Sequence, residues 1–393
     1  MKVGLFGGSF DPIHNGHIKM IEGALKKVDK IIVIPAARNA FKQGRILNPA
    51  PYRYYMTCDA LKRFGDRVIV SDIEFSLPGI SYTVNTVRAL LNGKIRELCG
   101  CDPKLYWICG SDILPTFDQW RDPEELLKMV TLLVAKRPGQ DETFKADIER
   151  LEKQYDTKIQ TFRIDGIKAS SSDIRRSVVF DDIPKEAAEF IKTNGLFPSV
   201  NYLEHVSDKA MQDFYEYSIA IYPTLSRYRL IHTINVAIEA VKYAVIYNGD
   251  PDKALIAGVL HDCAKEYPDD QQRTLCLAFA DPSFDIEQLW HAPAGALIAM
   301  QQFGIKDEEI ISAIKFHTTG HPGMTVTEKA VYLADKIEPA RTYADLKEVR
   351  KAAMEDLDEA VRMSIGVFIE KSKRKGRLIH PLSLAFAKDL GLC

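Results

Sequence analysis

The hydrophobic period changes once along this chain, and that change constrains the fold more than any other feature. Up to about residue 200, short apolar runs alternate with helical patterns. The runs are Lys2 to Phe6, Lys30 to Pro35, Val68 to Ser71, Leu105 to Cys109, Thr131 to Ala135 and a weaker Ile159 to Phe162. Between them, Ile18 to Val28, Pro51 to Phe64 and Thr83 to Leu91 repeat at helical spacing. Short apolar strands separated by helices predict an α/β domain whose parallel sheet is covered on both faces. Ligands of such sheets sit at the carboxyl ends of the strands. After about Asn201 the strand runs vanish. Helical periods take over: Ser207 to Ile221, Arg227 to Tyr247, Pro251 to Ala264, Ala294 to Phe303, Glu308 to Phe316, Val326 to Ile337 and Lys347 to Ile369. This half reads as all-α. The boundary falls at Leu196-Phe197-Pro198-Ser199-Val200, just past a helix end at Asn194-Gly195, giving domains of 1–197 and 203–393.

A length of 393 residues suits two domains, each large enough to bury its own core. Net charge is −2, which argues against a nucleic-acid partner or an anionic membrane surface. Met1 to Phe6 enters a strand at once, without the pattern of a signal peptide, and the apolar runs are too short to span a bilayer. Seven cysteines without a CxxC pair suit reduced thiols in a cytoplasmic protein better than a disulfide framework. The basic run Lys371 to Arg377 reads as a solvated helix end, where cations suit the dipole. A homo-oligomer is one arrangement the sequence admits.

In the first half, Gly7-Gly8-Ser9-Phe10-Asp11-Pro12-Ile13-His14-Asn15-Gly16-His17 follows the first strand and precedes the first helix. Glycines there let backbone amides approach a phosphate, and a helix N-terminus adds positive potential. Two imidazoles three residues apart can both donate to phosphate oxygens. A glycine pair alone would read as a tight turn; the coincidence of glycines, imidazoles and a strand-to-helix transition favours a phosphate site. Further on, Ser170-Ser171-Ser172-Asp173-Ile174-Arg175 puts hydroxyls at a helix start and a guanidinium one turn later, a second polyphosphate clamp. By itself it could be an ordinary serine cap with a surface arginine.

These residues match the HxGH signature of the Rossmann-like nucleotidyltransferase superfamily. The full string resembles the bacterial nicotinate-nucleotide adenylyltransferases, over about residues 1–197. Ser81-Tyr82-Thr83, Cys109-Gly110-Ser111-Asp112, Trp120 and the serine-rich segment fall where that family has its further motifs. The chain departs from the family at Arg38-Asn39-Ala40-Phe41-Lys42, where only Lys42 carries over, and at Ser111 and Ala169. The resemblance implies in-line transfer: the phosphate of nicotinate mononucleotide attacks the α-phosphorus of ATP, and pyrophosphate leaves. It implies Gly7, Gly8, Ser9 and Phe10 at the nucleotide, His14 and His17 at the ATP phosphates, and Lys42, Arg175 and Ser172 at the polyphosphate. Gly110 and Asp112 would lie near the ribose, and Thr83 and Trp120 near the nicotinate ring. Mg²⁺ would arrive with ATP rather than sit in a protein cage. A transferase using pantetheine phosphate is the rival within this superfamily.

In the second half, potential metal ligands stand at His232, the pair His261-Asp262, His291, His317 and Asp335, each in or beside a helix. Imidazoles and carboxylates suit transition metals and Mg²⁺. Six ligands exceed what one open metal site needs, and are a comfortable number for two metals sharing an aspartate and activating a water. A lone helical histidine is more often a core or surface residue. The string Gly258 to Lys265, with His232 before it and Asp335 after it, is far more specific.

That pattern is the H…HD…D signature of HD-domain phosphohydrolases. Residues 203–393 more closely resemble the YqeK-like HD hydrolases, symmetrical diadenosine tetraphosphatases, through Tyr228 to His232, Leu260 to Lys265, His291 to Ala296, His317 to Gly320 and Ala334 to Arg341. The resemblance implies cleavage of diadenosine tetraphosphate into two ADP at a di-iron centre. It implies Asp262 shared between the metals, His291 and His317 completing the second, and Lys265 and Arg341 on phosphates, although either could serve a surface ion pair. His321 reads as a neighbour of the pocket, and His205 and His380 as structural. Rival readings are an HD domain that senses nucleotides and regulates the transferase without turnover, or one that hydrolyses another nucleotide.

Overall fold

The computed structural model describes residues 1–38, 46–136, 141–164, 170–177, 181–198, 200–280, 282–343 and 346–392. Lys42 and Ala169 lie outside the described residues. The chain divides into two compact units, Met1–Lys192 and Thr193–Cys393.

The first unit holds a six-stranded sheet: β1 (Lys2–Gly8), β2 (Lys30–Pro35), β3 (Val68–Val70), β4 (Lys104–Gly110), β5 (Thr131–Lys136) and β6 (Gln160–Arg163), in the order β3-β2-β1-β4-β5-β6. Every pair is parallel. Side chains alternate across a strand. Leu5, Ile32, Trp107 and Val134 therefore share one face with Phe117 and Leu126, while Phe6, Ile31, Ile108 and Leu133 are buried on the other. All six expected runs are strands, and both faces are covered. The strand order reverses between β1 and β4, so their carboxyl ends, at Gly7-Gly8 and Gly110, flank the switch point where such sheets bind ligands.

The second unit is helical among its described residues. The Arg227–Ile246 helix packs against Pro251–Leu260 and Val326–Ile337, burying Leu230, Ile234, Val241, Leu255 and Val331. Gly258 permits the closest approach: a Cβ there would lie 2.5 Å from the Ala237 Cα. Two expected spans are corrected. The helix read as Pro251 to Ala264 ends at Leu260, with His261 as its cap. The single helix read from Lys347 to Ile369 is two, Leu346–Ala352 and Leu357–Arg374. The second is started by Asp356, whose carboxylate accepts from the Glu359 N–H at 3.1 Å. The Asp269–Phe279 helix, not among the expected spans, buries only Gln272 and Cys276 and so has no apolar stripe. No helix among the described residues is long and apolar enough to cross a membrane.

Candidate functional site

At the end of β1 the chain turns through Ser9–Ile13 into the Asn15–Ala24 helix. Gly7 is obligatory, since a Cβ would meet the Trp107 ring at 2.6 Å. Phe10 takes φ 48, a region costly for any residue but glycine. Its ring is held edge-on by Phe6 at 5.4 Å and His17 at 5.0 Å. His14 caps the helix and stacks on His17, ring centroids 3.7 Å apart. The His14 backbone N–H donates to His17 Nδ1 at 3.2 Å. That makes Nδ1 the acceptor and leaves Nε2–H of a neutral His17 ring as a donor.

The loop is tied down by groups the sequence did not single out. Arg53 donates to the Ser9 carbonyl at 2.8 Å and to that of Asn48, also at 2.8 Å. Asn48 donates to the buried Asp11 carboxylate at 2.7 Å. Burial raises the Asp11 pKa, opposed by Arg53, Asn48 and Arg175. The Ser171–Ser177 helix docks on the same loop. Ser171 donates to the Pro12 carbonyl at 3.0 Å, and Arg175 donates to the Asp11 carbonyl and, at 3.2 Å, to Ser172 Oγ. The structure thus brings His14, His17, Phe10, Ser172 and Arg175 together around one loop, with one Arg175 donor on the loop and another on its own helix.

Gly110 ends β4, and Asp112 is exposed on the turn that follows. Trp120 lies 5.4 Å from Phe117 and edge-on to Trp107 at 6.3 Å. Trp107 in turn faces Gly7, so aromatic packing links Trp120 to the glycine loop. Thr83 opens the Thr83–Ala89 helix, half-buried and on a separate element from the histidine pair.

In the second unit the six expected ligands converge from three helices and from the turns after two others. His232 lies within Arg227–Ile246, His291 starts His291–Gln302, and Asp335 lies near the end of Val326–Ile337. His261 and His317 each sit one residue past a helix, capping Pro251–Leu260 and Glu308–Phe316. There each ring turns back onto its own helix: His261 Nδ1 to the Gly258 carbonyl at 2.7 Å, and His317 Nδ1 to the Ile314 carbonyl at 2.8 Å. A carbonyl only accepts, so Nδ1 carries the proton and Nε2 presents its lone pair. His232 Nδ1 lies 3.1 Å from Glu338 Oε1.

Asp262 stands between two sets of imidazoles. Its Oδ2 lies 3.6 Å from His261 Nε2 and 3.9 Å from His232 Nε2; its Oδ1 lies 3.5 Å from His291 and 3.6 Å from His317. Asp335 Oδ1 lies 3.0 Å from His232 Nε2 and 3.9 Å from His261 Nε2. His232, His261 and Asp335 form one group with metal-binding geometry, and His261, Asp262 and His317 a second. Burial would raise the Asp262 carboxyl, but His261, His317 and His291 outweigh it and hold it well below the usual carboxylate range. Burial pushes His261 down to about 3. His261 Nε2 is buried without a hydrogen-bond partner, a cost native interiors rarely leave unmet. A buried lone pair facing other imidazoles and carboxylates is what a divalent cation would satisfy, so the residues fit the metal that HD domains bind.

Cations ring this cluster. Arg229 pairs with Asp262 at 2.6 Å and Lys336 with Asp335 at 2.5 Å. Arg341 reaches Asp335 and His232 at 3.4 Å, and Lys265 Nζ lies 3.0 and 3.2 Å from the two nitrogens of His291. Burial lowers the Lys265 pKa. Arg229, Lys336 and Glu338 lie in the segments Tyr228 to His232 and Ala334 to Arg341, and of the three only Glu338, three residues after Asp335 near a helix end, has a spacing that marks it. His321 lies apart from the six, paired with Glu328 at 2.9 Å. His380 caps a helix against the Phe284 ring, and His205 is exposed.

Comparison with known proteins follows this division. A cytidylyltransferase-like family model matches residues 5–177 and an HD-domain model residues 229–340. The symmetrical bis(5′-nucleosyl)-tetraphosphatase of Bacillus subtilis is 40% identical over 160 residues, covering 40% of this chain and 86% of that protein. A probable nicotinate-nucleotide adenylyltransferase of Clostridium novyi is 34% identical over 180 residues, covering 45% of this chain and 86% of that protein. A Mycoplasma genitalium protein named probable nicotinate-nucleotide adenylyltransferase/Ap4A hydrolase is 27% identical over 349 residues, 86% of this chain and 88% of that one. With both halves matched this far, the chain belongs to two families in tandem, the nicotinate-nucleotide adenylyltransferases and the HD-domain symmetrical bis(5′-nucleosyl)-tetraphosphatases.

Proposed function

We infer that this protein is a bifunctional nucleotide enzyme. Its first domain, residues 1–197, transfers the adenylyl group of ATP to nicotinate mononucleotide. Its second, residues 203–393, hydrolyses diadenosine tetraphosphate to two ADP. The observation that carries the reading is that one chain holds both a glycine-and-histidine loop at a sheet switch point and a buried cluster of four imidazoles and two carboxylates.

In the transfer, the mononucleotide phosphate attacks the α-phosphorus of ATP and pyrophosphate departs with its Mg²⁺. No enzyme nucleophile forms a bond, so catalysis is positioning plus charge stabilisation. His14 and His17 donate to the ATP phosphates from the helix start, with Ser172 and Lys42 along the polyphosphate. Arg175 fixes the loop and adds its charge there. Gly7 to Phe10 and Gly110 leave room for the nucleotide backbone, Asp112 takes the ribose, and Thr83 and Trp120 take the nicotinate ring.

In the hydrolysis, His232, His261, Asp262 and Asp335 would hold one divalent ion, and His291 and His317, with Asp262, a second. Such ions, iron being the one the family resemblance suggests, supply Lewis acidity that lowers the pKa of the attacking water and screens the phosphates. Glu338 orients the His232 ring, as outer partners of metal-bound imidazoles do. Arg229, Lys265, Lys336 and Arg341 bind the tetraphosphate. The Nε atoms of Arg229 and Arg341 are buried without hydrogen-bond partners, which suits them to phosphate oxygens.

The test is an activity panel on the purified chain: ATP with nicotinate or nicotinamide mononucleotide, then a set of dinucleoside polyphosphates, with metal content measured in parallel. Pyridine dinucleotide from the first set and ADP from diadenosine tetraphosphate are expected; absence of either product removes that half of the reading. A finer expectation concerns the acceptor. Trp120→Ala should weaken nicotinate mononucleotide binding by about 1 kcal/mol or more, the scale of an aromatic pair beyond its area. ATP binding should change little. Equal losses for both substrates would mark a packing defect, since Trp120 also packs on Phe117 and Trp107.

A further inference from the structure

Exposure falls in steps toward the HD-domain cluster. At the centre, the side chains of His232, His261, His291, His317 and Asp262 are at most 3% exposed. One layer out, those of Arg229 and Arg341 are 20% and 19% exposed. Beyond them stand two of the most exposed large side chains of the unit, Tyr228 at 62% and Tyr343 at 60%. Each lies within two residues of an arginine that contacts the cluster.

Both are tied to the arginines. Tyr228 precedes Arg229, whose guanidinium carbon lies 5.9 Å from the Tyr228 ring centroid while its Nη1 grips Asp262. Tyr343 follows Arg341 by two residues on a fixed tether. The Arg341 N–H donates to the Glu338 carbonyl at 3.0 Å, and Arg350 holds the Arg341 carbonyl at 2.9 Å. The Leu346 N–H donates to the Tyr343 carbonyl at 3.1 Å.

We propose that Tyr228 and Tyr343 are stacking platforms for the two purine bases of the dinucleotide, outside the phosphate-binding arginines. This rests on the hydrolase reading above. A symmetrical dinucleotide carries a base at each end of its phosphate chain. A site that cuts it at the middle must bind phosphates at its centre and bases at its rim. Arginines inside and tyrosines outside follow that order. A ring accepts any purine by its face, so the platforms set affinity for a base without reading its edge. Phosphate alone would gain nothing from them.

The test compares ligands with and without a base on the metal-loaded full chain. Tyr228→Ala and Tyr343→Ala should each raise KM for diadenosine tetraphosphate about tenfold, the scale of one lost base stack. The kcat should stay within about twofold, because neither ring touches the reacting phosphate. Competitive inhibition by inorganic tripolyphosphate, which has no base, should not change. Tyr228→Phe and Tyr343→Phe should restore KM, since the ring and not the hydroxyl does the stacking. A KM shift under twofold in both alanine variants, or an equal weakening of tripolyphosphate, would overturn the proposal. If the wild-type chain cleaves no dinucleoside polyphosphate, the hydrolase reading falls separately. Calorimetric titration of ADP and of pyrophosphate into wild type and the double alanine variant then decides the platforms alone. Any ADP bound by the first domain is common to both proteins and cancels. A weaker ADP site with unchanged pyrophosphate supports stacking, and identical ADP curves overturn it.

Discussion

Asp262→Ala abolishes hydrolysis, strips the bound metal and leaves adenylyl transfer within about twofold of wild type. The expectation comes from where the two carboxylate oxygens point. Oδ1 faces His291 and His317; Oδ2 faces His232 and His261. In the proposed two-metal arrangement, removing this side chain takes a ligand from both ions, while removing His291 or His317 takes one from a single ion. The change also deprives Arg229 of its partner, and an uncompensated buried charge can cost about 3–5 kcal/mol. Arg229 is 20% exposed, however, and can turn its guanidinium to water. Asp262→Asn controls for this by keeping the volume and removing the charge. His291→Ala tests the other side of the geometry, with one metal retained per chain and most hydrolysis lost. The measurements are metal content by elemental analysis, the thermal transition, and both activities. A metal-to-chain ratio of one in fully active wild type, unaltered by His291→Ala, would sink the two-metal arrangement.

The fold was legible where one kind of signal sufficed. Five of the six strands are short apolar runs that can be read without their neighbours, because both faces of a parallel sheet are covered; β6 buries only Phe162 and gives the weak signal. The six candidate ligands, which the structure gathers into one cluster, stood out for a different reason. An imidazole-aspartate pair at the end of an apolar helix is an unusual combination, and its partners recur at helix ends. What stayed hidden depends on packing. Arg229, Lys336 and Arg53 belong to types that mostly cover surfaces, and nothing in their spacing separates them from solvated neighbours. Arg229 meets Asp262 because the helices that carry them approach at Gly258 and Ala237, a tertiary contact. Arg53 meets Ser9 across 44 residues of sequence. The tautomers of His261 and His317 were equally out of reach, since they follow from carbonyls three residues back that become available only where the helix ends. The break between Ala352 and Leu357 was missed for a local reason: the apolar period resumes in phase closely enough that only the cap at Asp356 marks it.

His17→Ala lowers adenylyl transfer by about a hundredfold or more, the scale on which one lost transition-state donor is felt. The structure gives this residue two separable jobs. Its Nδ1 accepts from the His14 backbone N–H and helps to close the helix start; its Nε2–H is the donor available to a phosphate. A substitution that keeps the first job and removes the second isolates the chemistry. His17→Asn places a carbonyl oxygen near the Nδ1 position, where it can accept from the same N–H, without a donor at the Nε2 position. The alanine variant loses both, and with them the stacking on His14 and the edge contact of Phe10. If charge stabilisation is the larger role, both variants lose kcat to a similar extent and KM for ATP moves little. If capping is the larger role, the asparagine variant recovers most of the activity and the alanine variant melts earlier. Hydrolysis of diadenosine tetraphosphate should be unchanged in both, because all six candidate ligands of the HD cluster lie in the second unit. Wild-type transfer by His17→Ala would remove this histidine from the mechanism and leave His14 and the helix start to hold the phosphates.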